Sequence, residues 1–140
     1  MNLELKIDPL IRNEELNALF KDAWPDHEEQ DFRSLLDYAW FYACGYSEDE
    51  LIGFAKVLGD GRAHGFLLDP TVSPEHQRKG IGRKLVELCV QESRRRGIEW
   101  LHVDFEPHLK GFYETCGFRP THAGLIDLRN YQSESGSEGH

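Results

Sequence analysis

A glycine-containing loop that opens onto a helix constrains this chain more than any other segment. It runs from Asp69 to Lys84 as Asp-Pro-Thr-Val-Ser-Pro-Glu-His-Gln-Arg-Lys-Gly-Ile-Gly-Arg-Lys. An apolar run from Ala63 to Leu68 precedes it and reads as the end of a strand, and an amphipathic pattern begins at Ile81. A helix start leaves backbone N–H groups without intrahelical partners, and Gly80 and Gly82 allow an anion to approach the backbone closely. Arg78, Lys79, Arg83 and Lys84 add positive side chains at the same point. The layout is that of an anion-binding helix entrance.

The flanking pattern alternates strand and helix signals. Leu3 to Ile7 reads as a first edge strand, followed by a helix from Asn13, a plausible cap, with Leu16, Leu19, Phe20 and Ala23 on one stripe. Trp24-Pro25 ends that helix. The stretch from Trp24 to Asp37 reads as a loop-and-helix insert over one edge of the core. Tyr38 to Tyr46, Leu51 to Leu58 and Arg62 to Val72 then form three strands joined by tight turns, an antiparallel meander. The Ile81 to Arg96 helix, stopped by Gly97, provides the long crossover that a parallel strand from Ile98 to Phe105 requires. In that strand Leu101, Val103 and Phe105 share one face, and Trp100, His102 and Asp104 the other. Pro107 starts a short helix that Gly117 ends, and Phe118 to Leu128 is expected to supply a last strand or hairpin. The expected organisation is one α+β domain over residues 1–129 and a disordered polar tail over 130–140.

Several functions are disfavoured by the same residues. The triphosphate-binding string Gly-x-x-x-x-Gly-Lys-Ser/Thr does not occur, and the dinucleotide fingerprint fails because Leu85 stands where its third glycine belongs. The net charge of −9 disfavours general nucleic-acid binding. No apolar run approaches the roughly 20 residues of a membrane span, and the N-terminus lacks a signal-peptide pattern, so the expected compartment is the cytoplasm. Cys44, Cys89 and Cys116 lie in apolar surroundings without repeated spacing and read as reduced core thiols. His102, Asp104, Glu106 and His108 cluster, yet their spacing matches no established ligand motif, and no metal is expected there.

Gln77-Arg78-Lys79-Gly80-Ile81-Gly82, preceded by Val72-Ser73-Pro74 and followed thirty residues later by Phe112-Tyr113-Glu114-Thr115-Cys116-Gly117-Phe118, closely resembles the Gcn5-related N-acetyltransferases. The resemblance spans about Leu3 to Leu128. It implies a mixed, mainly antiparallel sheet with a central parallel pair splayed at the acyl-coenzyme A site, and helices on both faces. It also implies acetyl-coenzyme A as donor, a primary amine as acceptor, and direct attack in a ternary complex. On this resemblance Thr71, Val72, Gln77, Arg78, Lys79, Gly80, Ile81, Gly82, Arg83, Lys84, Phe112 and Tyr113 contact the coenzyme. Tyr113 matches the position whose hydroxyl commonly protonates the departing thiolate, a role that a phenol with an ordinary pKa near 10 can fill; a purely structural Tyr113 is the alternative. The family's usual Asn is replaced by Glu106 beside Pro107. A non-catalytic acyl-coenzyme A sensor or interaction module is the other functional class that these motifs allow.

The general base stays open among His102, Asp104, Glu106 and a water chain. Backbone N–H groups from Leu68 to Thr71 are the candidates for oxyanion stabilisation, and Pro70 has none to give. Between Glu75 and Arg96, seven Arg or Lys face three Glu, a local balance of +4 that leaves −13 elsewhere. That distribution suits an anionic ligand at the loop and either a solvated acidic surface or a cationic partner. Trp24, Asp26, Glu106 and His122 are accordingly the candidate substrate contacts, for a small or peptide-borne amine, with the chain a monomer or homodimer. The aromatic residues near the insert read equally well as core.

Overall fold

The computed structural model describes residues 2–130. Within them the elements follow as β1 (Leu3–Ile7), α1 (Asn13–Ala23), α2 (Phe32–Leu36), β2 (Phe41–Ser47), β3 (Glu50–Gly59), β4 (His64–Val72), α3 (Ile81–Arg95), β5 (Trp100–His102) and α4 (Lys110–Thr115). Single 3-10 turns at Pro74–His76 and Pro107–Leu109 precede α3 and α4. The strands lie side by side in chain order, the first four antiparallel and β5 parallel to β4. This is the mixed α+β architecture expected from the meander and its crossover helix.

Strand alternation divides the buried residues into two layers. Phe41, Ala43, Ala55, Val57 and Leu67 meet Ile81, Leu85, Val86 and Cys89 of α3, Tyr113 of α4 and Cys116 just after it. Cys44, Tyr46 and Phe54, on the opposite face, meet Leu16, Leu19 and Phe20 of α1 and Phe32 of α2. Helices therefore cover both faces. Gly53 sets how closely α3 can lie on the sheet: a Cβ there would stand 2.6 Å from Leu85 Cδ1. All three cysteines are free and buried, and burial pushes the Cys44 and Cys89 thiols up to about 12.

The arginine run at the end of α3 ties the helix to the sheet. Arg96 donates from Nη1 to the Trp40 carbonyl at 3.0 Å, from Nη2 to Asp8 Oδ2 at 3.1 Å and from Nε to Glu92 Oε2 at 2.7 Å, and its guanidinium lies over the Phe41 ring. Arg95 closes the same cluster through Glu92.

The structure corrects three expectations. Phe118 to Leu128 forms no strand: it is irregular, and Leu125, Ile126 and Leu128 are exposed. Pro120 and Gly124 interrupt the segment, and β5 has only three residues in register with β4, too few to template another strand. The strand expected from Ile98 to Phe105 is likewise reduced to Trp100–His102. Asn13 does not cap α1; Arg12 precedes that helix and its N–H is met by Glu15 Oε1 at 3.0 Å, while Asn13 Oδ1 accepts from the Arg33 N–H of α2. The polar tail lies, except for Asn130, outside the described residues.

The Glu92 cluster generates a pH prediction. Hydrogen bonds from Arg95 and then Arg96 outweigh burial and hold the Glu92 carboxyl down at about 2. Its folded pKa is thus below the unfolded one, so its contribution is complete above about pH 4.5 and is lost as pH falls toward 2. Because Arg95 is largely exposed and screened, Glu92→Gln should cost about 1–2 kcal/mol at pH 7. Urea unfolding at pH 7, 4 and 2.5 should show that difference shrinking steadily with acidification.

Candidate functional site

Strands β4 and β5 are in register over only three pairs, His64 with Trp100, Gly65 with Leu101 and Phe66 with His102. Beyond Phe66, β4 continues to Val72 with a partner on the β3 side alone, while the chain after His102 leaves it. The departure coincides with an irregularity in β4. Phe54 pairs with Thr71 and Lys56 with Leu68, so one β3 residue opposes both Asp69 and Pro70. Asp69 has a φ of 57°, in the left-handed region that non-glycine residues rarely occupy. Lys56 Nζ holds its carboxylate at 3.2 Å. Thr71 Oγ1, buried, donates to the Asp69 carbonyl at 2.9 Å and lies 3.3 Å from the indole N–H of Trp24. The result is a V-shaped opening with unpaired β4 backbone along one wall.

The glycine loop stands at the far end of that wall. Gln77 Nε2 donates to the Val72 carbonyl at 3.0 Å, fastening the loop to β4. Arg78 and Gly80 have φ values of 64° and 80°, and Gly80 is the residue before α3. No side chain caps that helix start, so its first-turn N–H groups are free for an anion. A Cβ on Gly80 would meet nothing within 4 Å; φ is what demands glycine there. On Gly82 a Cβ would lie 3.6 Å from Val72 and 3.8 Å from Phe112, at ordinary contact. Ile81 points into the core and offers only its backbone. Arg78, Lys79 and Lys84 are exposed beside the loop. Arg83 is engaged by Glu87 at 2.8 Å and reaches the Thr115 carbonyl of α4 at 3.3 Å.

Tyr113 is buried and held by aromatic rings on three sides, stacked on Phe105 and edge-on to Phe112 and Phe118. Its hydroxyl is not sealed away: among the described residues Ser93 Oγ is the one enclosed side-chain polar atom without a partner. Burial, then Cys116 and Asp104, push the phenol above the ordinary tyrosine range. The hydroxyl therefore stays protonated at neutral pH.

The remaining sequence candidates divide. His102 is the last paired residue of β5; its Nε2 lies 2.8 Å from Nδ1 of His64 and its ring stacks on Phe66. Asp104 and Glu106 are exposed beyond it, and Asp104 is close enough to act on Tyr113. Trp24 is half-exposed and joined to Thr71, and Asp26 is exposed in the same insert. His122 lies exposed in the irregular stretch after α4. Among the described residues no three His, Cys, Asp or Glu side chains are grouped to hold a metal ion. Negative charge gathers in a cleft of about 420 Å³ between α1 and the β2–β3 turn, lined by Glu14, Glu15, Asp22, Glu48 and Asp49.

Sequence reading missed Asn17, which orders the insert. Its Nδ2 donates to the carbonyls of Asn13 and Gln30 at 3.0 and 2.9 Å, and its Oδ1 accepts from the Gln30 N–H at 3.0 Å and lies 2.9 Å from His27 Nε2. A lone Asn within an otherwise apolar helical stripe is the signal that was available. His64 escaped notice because only the strand register brings it against His102.

The mixed sheet with its open parallel pair and the crossover helix behind a glycine loop make up an acetyltransferase-type fold. The chain belongs to the GNAT acetyltransferase family, whose model matches residues 11–118. It is 30% identical over 123 residues to a rice (Oryza sativa subsp. japonica) protein named serotonin N-acetyltransferase 2, chloroplastic, covering 84% of this chain and 62% of that one. The chain thus spans under two thirds of that relative's length, and 34% of a GCN5-related N-acetyltransferase 1 from Arabidopsis thaliana, also chloroplastic. A Trypanosoma brucei acetyltransferase has the same fold, with a TM-score of 0.75 at 21% identity over 91% of this chain and 100% of the other. So does AAC(6')-Iy, solved with a coenzyme A bisubstrate analogue, with a TM-score of 0.71 at 18% identity over 91% and 97%. Among the described residues no helix is long and apolar enough to cross a membrane.

Asn17→Ala would leave the Gln30 N–H and carbonyl without their side-chain partner, and should destabilise the protein by about 2 kcal/mol. Amide exchange over residues 27–31 should quicken by more than the global loss explains. Unchanged exchange there would remove Asn17 as the anchor of the insert.

Proposed function

We propose that this chain transfers an acetyl group from acetyl-coenzyme A to the primary amine of a small acceptor, by direct attack in a ternary complex. The observation that carries the reading is the β4–β5 opening, bounded by the uncapped start of α3 at one end and by Tyr113 beside it. The residues present fit the coenzyme. First-turn N–H groups of α3, with Arg78, Lys79 and Lys84 around them, suit a pyrophosphate, and the helix dipole adds about 0.3–1 kcal/mol at such a site. The unpaired β4 backbone from Leu67 to Val72 suits the amides of a pantetheine arm laid along it as an added strand. Thr71, by contrast, supports the β4 irregularity with its side chain and would meet the coenzyme through its backbone alone.

When bound, acetyl-coenzyme A supplies an activated thioester. The neutral amine would form the new C–N bond as the C–S bond breaks, the Tyr113 hydroxyl would give its proton to the departing sulfur, and the proton shed by the acylated nitrogen would return through water to the phenolate. The raised pKa of Tyr113 keeps that proton in place until the thiolate develops. Backbone N–H groups of Leu68, Asp69 or Thr71 polarise the carbonyl. Asp104 and Glu106 attract the protonated amine, and its ammonium proton leaves through water at the exposed mouth of the opening. His102 is less suited to that task, because one ring nitrogen is engaged by His64.

Thiol release measured with acetyl-coenzyme A and a panel of amines tests the reading; coenzyme binding without amine-dependent release would favour a sensor. Tyr113→Phe should lower kcat by about 10²-fold while changing acetyl-coenzyme A affinity less than threefold. Normal turnover in that variant would remove Tyr113 from proton transfer. Gly80→Val, forced into a left-handed backbone, should weaken coenzyme A binding by at least about tenfold in calorimetry. Unchanged affinity would dissociate the loop from the pyrophosphate.

A further inference from the structure

One charge on the sheet is almost buried and has no part in the chemistry above. Lys56 of β3 has its side chain only 13% exposed, an uncommon place for an ammonium group that gains so much from water. Ala55 and Val57 pack toward α3 and Phe54 toward α1, so alternation puts Lys56 on the α1–α2 face. Its Nζ lies 3.2 Å from Asp69 Oδ2, and among the described residues no other side chain is bonded to that carboxylate. The two strands fall out of step there: Lys56 is in register with Leu68 and Phe54 with Thr71, two steps along β3 against three along β4. An unbroken β4 would place Leu68 and Thr71 on opposite faces, and the extra residue brings both to the face of Lys56. Asp69 takes up that step with a φ of 57°, and Pro70 beside it has no N–H to give. Thr71 is fixed separately, by the Trp24 indole at 3.3 Å.

The ion pair therefore ties the strained residue of β4 to the strand that β4 still follows. Without that tie, a residue carrying a Cβ relaxes out of the left-handed region, and the rotation at Asp69 turns the peptide planes on either side of it. Those planes carry the N–H groups that the acetyltransferase reading sets against the thioester carbonyl, where a misplacement of about 1 Å is enough to slow a reaction severely. We infer that Lys56 is a positioning residue for acetyl transfer: it holds Asp69 in the left-handed region and so keeps the N–H groups between Leu68 and Thr71 aimed into the opening. Its ammonium acts on Asp69 and does not touch the substrate. This rests on the acetyltransferase reading above and adds to it a residue that works through the backbone.

Glycine at position 69 separates this role from a direct effect of charge, because glycine enters the left-handed region without a tie. Lys56→Met keeps the stem and loses the charge. It should lower kcat about tenfold while acetyl-coenzyme A affinity in calorimetry changes less than about threefold, and Lys56→Arg should recover most of the loss. The same Lys56→Met change made on top of Asp69→Gly should lower kcat by less than a further factor of about three. Asp69→Ala and Asp69→Gly leave Lys56 in place and both lack the carboxylate, yet the alanine variant should be slower than the glycine variant by about tenfold. Wild-type kcat in Lys56→Met, an equal loss in both backgrounds, or equal rates for the alanine and glycine variants overturns the role of Lys56 and leaves acetyl transfer intact. If no amine is turned over, acetyl transfer itself fails, and the infrared band of bound acetyl-coenzyme A, isotopically labelled at its acetyl carbonyl, is compared instead. A band that shifts in Lys56→Met, and does not shift on that change in the Asp69→Gly background, supports the positioning of the N–H groups by Lys56. An unshifted band, or no binding of acetyl-coenzyme A, overturns it.

Discussion

The parting of β4 from β5 is the constraint on which the rest of the molecule depends. Two parallel strands of ordinary length would hydrogen-bond throughout and leave no backbone free. Here the ladder stops at Phe66 and His102, and the two-against-one irregularity at Asp69–Pro70 bends β4 away. Proline cannot donate to a neighbouring strand, and Asp69 occupies a backbone region that costs about 1–3 kcal/mol. Ion pairing to Lys56 and the hydrogen bond from buried Thr71 hold that conformation in place. A local departure from sheet geometry thereby creates a stretch of unpaired strand backbone with a glycine loop at its end.

The opening is useful only if α3 meets it at a fixed angle. The close approach at Gly53 seats the first turns of the helix on β3, and Arg96 anchors the last turn to Asp8 and the Trp40 carbonyl. Both ends of α3 are therefore tied to the sheet. The free N–H groups at Ile81, Gly82 and Arg83 consequently point from a rigid support, which favours anion binding because little ordering remains to be done on association.

Much of this was legible in the sequence, for reasons that differ by region. The loop from Gln77 to Gly82 and the Phe112 to Phe118 string carry local chemistry, glycine at a left-handed position and aromatic spacing on one short helix, and both stand where they were expected. The face alternation of Leu101, Val103 and Phe105 also holds, since those side chains pack inward after the ladder has ended. Pattern thus reported burial correctly and hydrogen bonding incorrectly. A strand assignment needs a partner, and no property of residues 103 to 105 or 118 to 128 reveals that β4 has turned aside. The His64–His102 pair and the Asn17 network were invisible for a related reason. They join residues 38 and up to 13 positions apart, and only the strand register or the path of the insert brings them together.

Tyr113 shows how closely site and core are joined in a chain of this size. To donate a proton it must remain a neutral phenol and still reach the opening. Burial among Phe105, Phe112 and Phe118 satisfies the first demand, and the enclosing rings fix the direction of the hydroxyl and so serve the second. The same rings close the lower end of the α3 layer, with Phe112 also lying against Gly82 of the loop. Packing around α4 thus links the phenol that would lose the proton to the helix turn that would hold the phosphates. On the proposed function, a change in any of those aromatic residues would act on stability, on coenzyme binding and on proton transfer together, because a single cluster of rings would support all three.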